Sequence, residues 1–144
     1  MNKLTIGFCK LDSRATIPSK AHKDDLGFDL HTLESVTLEP GVVTKVRTGI
    51  AVQFPENVGG IIKDRSSVAT KKEVFTVAGV IDPGYRAEII VAFFNPNDTK
   101  IHFLPGDKIA QMVLQECIIV EPIEIFEFSG KTDRNLDGFG STGR

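Results

Sequence analysis

Turn chemistry recurs along this chain about every ten residues, and no other feature limits the fold as much. Pro40-Gly41, Pro55-Glu56-Asn57, Gly59-Gly60, Pro83-Gly84, Asn95-Pro96-Asn97 and Pro105-Gly106 cut the sequence into short runs. Between them the apolar residues alternate, as in Leu4-Thr5-Ile6-Gly7-Phe8, Ile50-Ala51-Val52-Gln53-Phe54 and Ile123-Glu124-Ile125. Such spacing leaves no room for long helices and predicts an all-β sandwich or barrel. One short helix is expected over Val68-Ala69-Thr70-Lys71-Lys72-Glu73, capped by Ser66 or Ser67.

At 144 residues the chain is the size of one domain and can bury a core without disulfides. Cys9 and Cys117 lack ligand-like spacing and read as two buried thiols of a reducing compartment. The N-terminus carries no signal-like apolar run, and no segment reaches the roughly 20 apolar residues of a membrane span. An intracellular protein without membrane contact is expected. The formal charge of −2 gives no general attraction to nucleic acid, so any phosphate binding must be local. His22, His31 and His102 have no metal-ligand spacing and read as surface or packing residues.

Two units are expected: a β domain over residues 1–128 and a flexible arm over residues 129–144. The arm reads Ser129-Gly130-Lys131-Thr132-Asp133-Arg134-Asn135-Leu136-Asp137-Gly138-Phe139-Gly140-Ser141-Thr142-Gly143-Arg144. Little in it anchors to a core. Its glycines, Gly140 among them, let the backbone approach a ligand, Ser141 and Thr142 offer hydroxyls, and Arg134 offers a bidentate cation. Phe139 between two glycines suits stacking on a planar base. A P-loop is excluded because its lysine and following helix are missing.

Four further clusters carry chemistry. In Gly79-Val80-Ile81-Asp82-Pro83-Gly84-Tyr85-Arg86, the Pro83-Gly84 turn lets Asp82 and Tyr85 flank a hairpin and face one pocket. Asp82 there is a candidate base for an attacking water. In Asp64-Arg65-Ser66-Ser67, a guanidinium and hydroxyls at a helix start make an anion site. In Pro105-Gly106-Asp107-Lys108-Ile109-Ala110-Gln111, the amide of Gln111 sits among apolar neighbours and needs partners. In Gly27-Phe28-Asp29-Leu30, one carboxylate stands in an apolar context. Each has a bland reading as a turn, a cap or a packed polar residue.

Taken in order, the five clusters resemble the five signature motifs of the trimeric dUTPase family, and the likeness spans nearly the whole chain. The resemblance implies a jelly-roll subunit and a homotrimer whose three sites are each built from more than one chain. It implies hydrolysis of dUTP to dUMP and pyrophosphate, an activity that limits uracil in DNA and supplies dUMP. By analogy Asp82 deprotonates the water that attacks the α-phosphorus. Tyr85 packs on the deoxyribose and excludes a 2′-hydroxyl, while the backbone near Gly79 reads uracil. Arg65, Ser66, Ser67 and Gln111 lie at the phosphate chain. Arg134, Gly140, Ser141 and Thr142 close over it, with Phe139 covering the base. Mg²⁺ is expected on the three phosphates, reaching Asp29 only through water. The chain departs from the family at Asp64, at Ala87 and at Asn135-Leu136-Asp137.

A dCTP deaminase resembles the same scaffold, but the glutamate expected on the strand after Tyr85 aligns with Ala92. A nucleotide-responsive regulator would not need Asp82, and a structural jelly-roll protein would not need the arm.

Overall fold

The computed structural model of the chain describes residues 4–140, 142 and 143. Eleven strands and one helix follow in order: β1 (Gly7–Lys10), β2 (Gly27–His31), β3 (Val36–Leu38), β4 (Val43–Arg47), β5 (Ile50–Gln53), β6 (Val58–Asp64), α1 (Ser66–Lys71), β7 (Phe75–Val77), β8 (Val80–Ile81), β9 (Ile90–Phe94), β10 (Ile101–Phe103) and β11 (Lys108–Glu116). They form four small antiparallel sheets, ordered β1-β5, β10-β3, β2-β11-β6-β8 and β4-β9-β7. Short strands that change sheet at each turn give the jelly-roll-like architecture expected from the sequence.

The sheets close on one core. Leu30, Leu38, Ile89, Val91, Phe93, Ile109 and Met112 are fully buried within it. Phe93 and Phe103 meet in a tilted pair with ring centroids 5.7 Å apart. Two buried polar side chains are matched: Thr48 Oγ1 donates to Ile89 O at 2.7 Å, and Asn95 Nδ2 donates to Leu38 O at 2.9 Å.

Four local expectations need correction. The first strand starts at Gly7, not at Leu4. The helix starts earlier than expected, with Arg65 at the N-cap and no side-chain cap bond, so Ser66 and Ser67 are its first two residues. Ile123-Glu124-Ile125 forms no strand: the last one ends at Glu116, and residues 117–140 are exposed throughout. A strand needs a partner, and this segment pairs with none of the described strands. Cys9 and Cys117 are exposed rather than buried: Cys9 lies on β1, one strand of a two-stranded sheet, and Cys117 just beyond the end of β11. Among the described residues no helix is long and apolar enough to cross a membrane.

Candidate active site

The central sheet β2-β11-β6-β8 has a core face and an outer face, and register decides which residues share each. Ala110 pairs with Leu30 and Asp64, and Met112 with Phe28 and Ile62; this parity points at the core. Gln111 pairs with Asp29 on one side and Lys63 on the other, so these three polar residues form a row across the outer face.

Asp29 is the centre of that row. Its carboxylate is mostly covered and receives two cations, Arg65 Nε at 3.2 Å and Lys108 Nζ at 2.9 Å. Arg65 also donates to Lys108 O at 3.4 Å. Gln111 Nε2 donates to Asp64 O at 2.9 Å, which answers the question of where a half-buried amide finds a partner. The glycine of the first cluster has a spatial reason. A Cβ on Gly27 would run into Gln111 Oε1, so its absence leaves room for the amide. Ser66 and Ser67 are exposed, and their hydroxyls bond to no described residue.

Asp64 does not load this face with negative charge. Its side chain has the opposite parity, and Oδ1 accepts from Thr76 N at 2.7 Å, pinning β7 to the end of β6. His31 also belongs to the neighbourhood, which the sequence reading missed. Its Nδ1 is buried with no partner among the described residues. Burial pushes the imidazole below its ordinary pKa, Asp29 opposes this, and Lys108 and Arg65 add to the depression.

The second half of the site lies at the other end of β6. β8 pairs Ile81 with Gly60, and Asp82 follows directly. Asp82 and Tyr85 flank a turn, closed by Tyr85 N to Asp82 O at 3.0 Å, but not a hairpin. β8 and β9 lie in different sheets, so the segment between them crosses the barrel edge. The crossing is tied down at three points that the sequence reading left out. Tyr85 Oη donates to Glu88 O at 2.7 Å, Glu88 Oε1 accepts from Gly49 N at 2.7 Å, and Arg86 donates to Pro83 O at 3.0 Å. Asp82 itself is exposed, and its carboxylate bonds to no described residue.

Beside this turn is a cavity of about 220 Å³ lined by Ile62, Gly79, Val80, Tyr85, Ile89 and Ile90. Gly79 has a φ of +103°, and a Cβ there would come within 3.1 Å of Ile62 O. Its backbone therefore lies close against β6, with Ile62 N donating to Gly79 O at 2.8 Å.

The structure thus brings Asp29, Arg65, Ser66, Ser67 and Gln111 together, and separately Gly79, Asp82 and Tyr85. The arm joins neither group. Arg134 is folded on its own loop, donating to Asp137 O at 3.1 Å and Gly138 O at 3.5 Å, and Phe139 is fully exposed. Gly140 and Thr142 are exposed beyond it, and Ser141 lies outside the described residues. No trio of His, Cys, Asp or Glu that could hold a metal occurs among the described residues.

Known proteins resemble this chain over most of its length. A family model described as dUTPase matches residues 13–143. The chain is 40% identical over 136 residues to the deoxyuridine 5′-triphosphate nucleotidohydrolase of Gloeothece citriformis, covering 93% of each. It is 39% identical over 146 residues to that of Mycobacterium tuberculosis, covering 96% of this chain and 95% of the relative. Among solved structures, the Staphylococcus bacteriophage 80alpha dUTPase with dUPNHPP superposes with a TM-score of 0.91 at 27% identity, over 97% of this chain and 99% of that one. A mutant dUTPase from phage phi11 of S. aureus, described with a structural Mg(II) ion, gives a TM-score of 0.82 at 26% identity, over 88% and 99%.

Proposed function

This chain belongs to the dUTPase family, and on that premise we propose that it splits dUTP by attack of water on the α-phosphorus, with Mg²⁺ brought in on the triphosphate. The reading rests above all on one observation: an exposed, uncommitted Asp82 sits one turn from Tyr85, whose ring lines a small apolar cavity.

The cavity suits a pyrimidine deoxynucleoside. Gly79 offers backbone groups to the base edge, and Tyr85, anchored through its hydroxyl to Glu88 O, presents its ring to the sugar. An anchored ring has no slack to admit a 2′-hydroxyl. Asp82 takes the proton as the water oxygen bonds to the α-phosphorus and the bond to the bridging oxygen breaks, releasing pyrophosphate. Arg65, Ser66, Ser67 and Gln111 hold the outgoing phosphates, and Arg134, Gly140, Ser141 and Thr142 close over them, with Phe139 stacking on uracil. When bound, the divalent ion would neutralise phosphate charge, and Asp29 is the residue that meets its hydration shell.

The site is shared between chains of a homotrimer. Asp82 follows the residue opposite Gly60, while the cluster gathers at Asp64, four residues along β6 and so roughly 13 Å away. One chain therefore offers the two halves at opposite ends of a strand. The apolar stretch Ile118 to Phe128, exposed after the last strand, supplies the surface for such an assembly.

The deciding experiment compares wild type with Asp82→Asn on dUTP with Mg²⁺, beside dCTP, dTTP and UTP. Wild type is expected to release pyrophosphate from dUTP alone. The variant should keep its KM within about threefold and lose on the order of 10²–10⁴ in kcat. Undiminished kcat in the variant overturns the assignment of Asp82.

A further inference from the structure

Strict alternation along β11 would place Lys108, three residues before Gln111, on the core face of the sheet. The structure departs from alternation at that point. Lys108 pairs with His31 and Ala110 with the adjacent Leu30, so Ile109 is the extra residue of a β-bulge. Ile109 and Ala110, neighbours in sequence, are both fully buried. The bulge thus turns Lys108 out to the face that carries Gln111 and Asp29, and its ammonium reaches Asp29 Oδ2 at 2.9 Å.

The charge count gives this re-aiming a purpose. Asp29 and its partner Arg65 cancel, which leaves Lys63 of the same row as the one positive charge, in a protein whose formal charge is −2. Lys108 raises the sum of these four side chains from +1 to +2, which favours a polyphosphate on this face. The Lys108 side chain is 43% exposed while Asp29 is 15% exposed, so the ammonium has open space on the side away from the carboxylate.

We propose that Lys108 is a further substrate-binding residue, whose bulge-directed ammonium holds Asp29 in the resting site and contacts the triphosphate when nucleotide arrives. The proposal rests on the assignment of this face to the phosphates. A lysine is suited to the task, since its point charge on a flexible stem can shift between carboxylate and phosphate without a fixed geometry.

The test measures KM, kcat and their salt dependence for full-length wild type, Lys108→Met, Lys108→Gln, Lys108→Arg and Arg65→Met, with dUTP and Mg²⁺. Lys108→Met and Lys108→Gln should each raise KM by on the order of tenfold, leave kcat within about threefold, and flatten the fall of kcat/KM with salt. Lys108→Arg should restore most of the KM. Inhibition by dUMP, which lacks the outer phosphates, should be unchanged in every Lys108 variant. Unchanged KM in both neutral variants, with KM raised in Arg65→Met, overturns the role of Lys108 alone. Unchanged KM in Arg65→Met as well overturns the assignment of the whole face to phosphate.

Discussion

Single residues in this site are placed as much by what is missing beside them as by what they touch. Gly27 shows this well. Its motif position was plain in the sequence, but the reason for a glycine there was not, because Gln111 lies 84 positions away and meets it only across the β2-β11 ladder. Gly27→Ala would force the amide of Gln111 aside or strain the sheet, at a cost of about 1–3 kcal/mol for overpacking. KM for dUTP should rise several-fold while kcat changes less, read alongside a urea melt. A normal KM in a destabilised variant would mean Gln111 serves the fold rather than the phosphates. Asp64 teaches the converse. In sequence it looks like an unwelcome charge beside Arg65, yet strand parity sends its carboxylate to Thr76 N.

At the level of elements, the proposed function places its reacting group on the turn between β8 and β9 and its closing groups on the arm after β11. The sequence sets the arm apart by composition, since little in it anchors to a core, and its described residues are all exposed. The alternation at Ile123-Glu124-Ile125 reads as a strand in the sequence, yet the segment pairs with no described strand. Residues 130–144 contribute no buried side chain among those described, so removing them should leave the melting temperature within a few degrees. Activity should fall by at least two orders of magnitude if Arg134 and its neighbours complete the site. A truncated enzyme with wild-type kcat/KM would show the arm to be a bystander.

At the scale of the whole molecule, a run of apolar side chains lies exposed after the last strand. Ile118, Ile119, Val120, Ile123, Phe126 and Phe128 are each more than 70% exposed. That surface predicts association. Replacing Ile123 and Ile125 together by Asp should shift the mass seen in sedimentation from trimer toward monomer, and dUTP hydrolysis should fall with it if sites are shared. An intact, fully active trimer from the double variant would remove this segment from the interface. What the sequence determined by itself were the local terms: turn chemistry, alternation and motif order, which together set an all-β jelly-roll-like fold and the dUTPase family. Only the tertiary structure decided which face each side chain serves. The bulge at Ile109 and the inward turn of Asp64 depend on register, which is fixed by partners far along the chain.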